Sequence, residues 1–132
     1  MIRTALRWLL GALYLFAGYA HVTDPGPFLS ITPGWVPWPE QVIYWTGLAE
    51  IAGALALLQP FGPYLRKAAG IGLALYALCV WPANVNHMLI DLARPDDGWG
   101  LAYHIPRMLA QPLLVWLALW TGGVTGKPRK GV

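Results

Sequence analysis

Eight side chains in this 132-residue chain have the types and placement to do chemistry: Tyr14, His21, Glu50, Asn84, His87, His104, Arg107 and Gln111. His104, Arg107 and Gln111 recur at i, i+3 and i+7, so a helix would carry them on one face. Asn84 and His87 are i, i+3 neighbours on another segment, while His21 ends the first apolar run with Tyr14 two turns deeper. Glu50 lies ten residues into its own apolar segment, roughly 15 Å from the end at a helical rise of 1.5 Å per residue. Gln111 reaches about the same depth, and Arg107 lies one turn nearer the end. A carboxylate and a guanidinium at such neighbouring depths predict a Glu50–Arg107 pair, because arginine can hold a carboxylate through two parallel hydrogen bonds. The expected chemistry is recognition in a shared polar pocket, with a purely structural staple between helices as the alternative.

Other chemistries lack their residues. No Ser-His-Asp pattern, phosphate loop or dinucleotide fingerprint is present. No HxxxH or His/Cys cluster points to a metal, and none is expected. The single cysteine, Cys79, has no intrachain partner for a disulfide or CxxC chemistry and reads as a small buried apolar residue. A net charge of +3, split along the chain, leaves no basic footprint for nucleic acid.

The elements that must position these groups are membrane helices. The chain is 57% hydrophobic and 11% charged, against roughly a quarter charged in a soluble domain. Eight tryptophans suit membrane–water interfaces. Crossing the hydrocarbon takes roughly 20 apolar residues in a helix. Segments at about 5–20, 40–58, 65–84 and 101–121 are expected to do so, the third with a continuation to about 93. Pro/Gly clusters at Asp24–Pro27, Gln59–Pro63, Arg94–Gly98 and Gly122-Gly123 separate them. The expected fold is all-α, a single transmembrane domain over 1–132 built as a four-helix bundle. The first segment also has features of a signal peptide, with Arg3, Arg7 and a small-residue end at Gly18-Tyr19-Ala20, but it is read as a retained helix.

Orientation follows from charge. Arg3, Arg7, Arg66, Lys67, Lys127, Arg129 and Lys130, seven of the nine basic residues, fall on one side of four alternating helices. The other side receives Asp24, Glu40, Asp91, Asp96 and Asp97 with Arg94 and Arg107. The positive-inside rule puts both termini in the cytoplasm, and an inner bacterial membrane is the expected location. The outer connection from Val22 to Pro39 mixes prolines with Phe28, Ile31, Trp35, Val36 and Trp38, too apolar for water and too broken to span. It is expected to lie at the outer interface, as an aromatic anchor or as a lid over the pocket. Gly11, Gly18, Gly47, Gly53, Gly70 and Gly72 are expected to let helices approach closely.

Several patterns together resemble the DoxX-like family of small four-helix membrane proteins. They are Gly18-Tyr19-Ala20-His21, then Pro25, Phe28, Pro33 and Pro37, then Gly47-Leu48-Ala49-Glu50-Ile51-Ala52-Gly53, and finally Pro82-Ala83-Asn84. The resemblance covers most of residues 5–90; the last helix matches only in character. It implies His21, Glu50 and Asn84 as the family's polar positions. It also implies roles like those of relatives tied to thiosulfate:quinone oxidoreductase, or of the nicotinic acetylcholine receptor chaperones, which assist assembly of other membrane proteins.

The expected function is that of a binding or accessory protein whose pocket takes a lipid- or quinone-like amphiphile or a partner helix. A membrane chaperone, and a quinone-linked oxidoreductase subunit in which Glu50 and a histidine move protons, are the alternatives. No activity of its own and no resident cofactor beyond a bound quinone or lipid are expected. Membrane lipid, a membrane-protein partner and a second copy of the chain are the expected contacts.

Overall fold

The computed structural model describes residues 1–126, so the basic tail residues Lys127, Arg129 and Lys130 lie outside the described residues. Within them the chain is all-helical, without strands. Its helices are α1 (Ile2–Thr23), α2 (Gly26–Ile31), α3 (Pro39–Leu58), α4 (Pro63–Leu92) and α5 (Leu101–Gly122). Prolines open α2, α3 and α4 in the first turn, where the missing N–H costs no hydrogen bond. Gly123, at φ 85, closes α5 in the left-handed conformation that glycine adopts without penalty. The helix expected at about 65–84 runs unbroken through Pro82 to Leu92. The connection expected to be irregular contains the short α2, packed on α3 and α4 and pinned by a 2.8 Å bond from Asn86 Nδ2 to the Ile31 carbonyl.

The four long helices pack as a ring in which α1 touches α3 and α5, and α4 touches the same two. Each neighbouring pair is antiparallel. Gly18 meets Gly47, Gly53 meets Leu73, and Gly70 meets Ala118. Arg3 at the start of α1 reaches the end of α5, where its Nε donates to the Trp120 carbonyl at 2.7 Å. Arg7 Nε donates to the Thr121 carbonyl at 2.9 Å. Both arginines thereby satisfy carbonyls at a helix C-terminus, which have no partner within the helix.

Two helices, α3 and α4, are long and apolar enough to cross a membrane by length and composition. Helices α1 and α5 have 22 residues each, but Arg3, Arg7 and His21 in one, and His104, Arg107 and Gln111 in the other, dilute their apolar character. The core is small: Leu10, Tyr14, Ala54, Leu57, Ala69, Leu73, Ala74 and Ala118 are its buried apolar members among the described residues. Larger apolar side chains, among them Trp45, Leu55, Leu75, Leu109 and Leu113, point outward.

Candidate functional site

At the C-terminal end of α1, His21 Nδ1 donates to Glu50 Oε2 of α3 at 2.5 Å, with both side chains buried. Two glycines make this reach possible. A Cβ on Gly47 would stand 2.7 Å from the His21 Cβ, and one on Gly18 would stand 2.6 Å from the Gly47 carbonyl oxygen. Side chains at either position would push α1 off α3. Phe28 of α2 covers the imidazole, with ring centroids 3.8 Å apart.

Beside this pair lies a cavity of about 520 Å³ to which all four long helices contribute. Its polar lining includes His21, Glu50, Asn84, Arg107 and Gln111. Leu10, Leu13, Phe16 and Leu114 form part of the apolar wall, and Phe28, Ile31 and Trp35 of the α1–α3 connection add to it. Tyr14 lines it too, edge-on to Tyr76 at 6.1 Å between centroids. Ligand pockets of roughly 300–1,000 Å³ with mostly apolar walls and a few convergent polar groups are the usual form of a small-molecule site.

The expected Glu50–Arg107 pair does not form. Arg107 donates instead to Asn84 Oδ1 at 2.6 Å and to His87 Nδ1 at 2.8 Å. The reason is the ring order: α3 and α5 are not packing neighbours, so α1 supplies the partner for Glu50 and α4 supplies those for Arg107. Cys79, expected to be buried, is exposed and lines the cavity.

His87 and His104 lie outside the cavity, which corrects the expectation that they share it with Glu50. Seven residues along α5 separate His104 from Gln111, roughly 10 Å of rise, so one helix face serves two stations. The station near the α4–α5 connection centres on Asp91. Its Oδ2 accepts from His104 Nε2 at 2.8 Å and from the Trp99 backbone N–H at 3.0 Å, and lies 3.5 Å from His87 Nε2. Gly98, at φ +54, passes so close to Asp91 that a Cβ there would collide with the carboxylate. Sequence reasoning treated Asp91 only as an outer charge, although it follows His87 by four residues and Asn84 by seven, on one helix face.

His87, Asp91 and His104 offer three ligand atoms within 4.8 Å of one another, a spacing a cation could use. The hydrogen bonds oppose that use. Because Arg107 donates to His87 Nδ1, the ring proton must sit on Nε2, the atom that faces Asp91. A metal on Nε2 would need that proton gone and Arg107 withdrawn. The donor set fits a charge relay from Arg107 through His87 to Asp91 better than a metal centre.

Among the described residues His104 Nδ1 and Gln111 Oε1 are buried acceptors outside this pairing, and of the two it is Gln111 that lines the cavity. Its side chain is 8% exposed, it lines the cavity, and its Oε1 is buried with no hydrogen-bond partner among the described residues.

One family model, described as a domain of unknown function (DUF8561), matches residues 10–122 of the chain. No curated protein and no solved structure matches it.

Proposed function

The chain belongs to the DUF8561 family, and from the geometry of its cavity we propose that it is an integral membrane binding protein whose four long helices span the bilayer around an intramembrane ligand site. The observation that carries the reading is Gln111, a buried amide aimed into an apolar cavity with no protein partner for its oxygen. An orphaned buried acceptor costs about 1–3 kcal/mol, and a ligand that donates to it removes the cost. The three polar positions singled out by the DoxX-like resemblance, His21, Glu50 and Asn84, all belong to the same lining.

A bilayer explains the outward apolar side chains, which as contiguous surface would be hard to keep in water. Arg3, Arg7, Arg66 and Lys67 lie at one end of the ring, while Asp24, Glu40, Asp91, Asp96 and Asp97 belong to the other. The positive-inside rule makes the first end cytoplasmic, with both chain ends there. Measured from Pro63, about 20 residues of α4 cross a hydrocarbon core of roughly 30 Å. His87 and Asp91 then stand at headgroup level, and the cavity reaches inward from them.

Native mass spectrometry of the full chain released from detergent tests the reading. The expected spectrum carries a bound amphiphile of defined mass; a spectrum of bare protein from several mild detergents counts against it.

A further inference from the structure

The polar atoms facing the cavity state what its occupant must offer. Asn84 gives its Oδ1 to Arg107, leaving the Nδ2 hydrogens free. Arg107 uses one nitrogen for Asn84 and another for His87, leaving Nε without a protein acceptor among the described residues. It also makes no ion pair with a carboxylate among those residues; Asp91 reaches it only through the His87 ring. Gln111 lies four residues beyond Arg107, one helical turn deeper on the same face, and its amide makes no hydrogen bond to the described protein. The set is therefore rich in donors and carries one positive charge, with a single orphaned acceptor. Glu50, the other charged group in the lining, is already engaged by His21.

On the binding reading above, we propose that the cavity takes a single-chain amphiphile with a carboxyl head, held between Arg107, Asn84 and Gln111. The carboxyl oxygens accept from the guanidinium and the two amides. A carboxylic acid in its neutral form also donates to Gln111 Oε1, closing a cyclic acid–amide pair. The hydrocarbon chain lies against Leu10, Leu13, Phe16 and Leu114, the apolar wall. A cavity of about 520 Å³ accommodates one acyl chain and not the two of a phospholipid. A quinone carries no charge to answer the Arg107 guanidinium, and it lacks the O–H that the neutral acid offers Gln111 Oε1.

The test is binding of radiolabelled hexadecanoic acid to the full chain in detergent, with methyl hexadecanoate, hexadecan-1-ol and dipalmitoylphosphatidylcholine as competitors. The acid is expected to bind one to one, and each competitor about tenfold or more weakly, since hydrogen bonds to a charged group are the strong ones. Gln111→Leu removes an amide that holds nothing in the protein. It is expected to weaken acid binding about tenfold while the unliganded protein melts no lower than the parent. Gln111→Glu, which sets a carboxylate against the ligand's own, is expected to lose the acid and keep the alcohol. Methyl ester competing as well as acid, or Gln111→Leu and Gln111→Glu both binding acid like the parent, overturns the carboxyl assignment and leaves the cavity reading standing. Retention of the phospholipid in preference to the acid does the same. Failure of every amphiphile to bind, together with bare protein in native mass spectra, overturns both.

Discussion

His21 Nδ1 stands 2.5 Å from Glu50 Oε2, joining α1 to α3 at the point where Gly18 and Gly47 bring the two backbones together. The Tyr76 hydroxyl on α4 also lies within hydrogen-bonding reach of the Glu50 carboxylate. Removing either member breaks a buried pair, a loss of about 3–5 kcal/mol. Glu50→Ala and His21→Ala are each expected to lower thermal stability in detergent by that order. The double variant should cost clearly less than the sum. A double-mutant cycle by thermal or denaturant unfolding measures this, and additive losses would show that the two side chains do not act together.

The glycines give a sharper contrast. A Cβ on Gly47 meets His21 at 2.7 Å, whereas one on Gly72 meets nothing within 4 Å. Gly47→Ala is expected to destabilise by about 1–3 kcal/mol through overpacking. Gly72→Ala is expected to be neutral or to stabilise by up to about 1 kcal/mol, since alanine is the better helix former. Unfolding both variants under one set of conditions checks the pair. A loss at Gly72 as large as that at Gly47 would contradict the assigned packing.

The long helices could be read from the sequence because Pro/Gly clusters and apolar runs act locally. Glu50 and Gln111 were likewise placed at similar depth by counting residues, and both line the cavity. The partner of Glu50 was not legible. Depth along a helix says nothing of which neighbour it turns toward, and that depended on the glycine contacts that put α1, not α5, against α3. The split of His104 from Gln111 has a similar cause, since i, i+3, i+7 spacing fixes a face but not the station along it. Asp91 was hidden by its position near a loop. Its role depends on Trp99 and Gly98 folding back over it, and no periodicity announces such a contact.

The proposed orientation predicts a labelling pattern. In a Cys79→Ala background, Lys67→Cys and Asp96→Cys place one thiol at each end of α4 and its following turn. An impermeant maleimide added to intact cells should label Asp96→Cys and spare Lys67→Cys until the membrane is broken. Each helix end takes its side from basic-residue bias, so labelling of Lys67→Cys alone in intact cells would invert the topology. Labelling of both would remove the membrane-spanning arrangement.

The relay at Asp91 makes a prediction about metal. With Arg107 donating to His87 Nδ1 at 2.8 Å, the proton on Nε2 blocks the atom that would complete a site with Asp91 and His104. Neutral imidazole binds a metal through a nitrogen that carries no hydrogen. The parent protein is therefore expected to show no stoichiometric zinc binding by calorimetry. Arg107→Leu takes away both the lock on the tautomer and the neighbouring positive charge. His87 can then carry its proton on Nδ1 and turn a bare Nε2 toward Asp91 Oδ2, 3.5 Å away in the parent. Zinc binding should then appear, and His104→Ala in the same background should abolish it. Tight zinc binding by the parent, lost in His87→Ala, would mean that the arginine does not set the tautomer and that the cluster around Asp91 is a metal site.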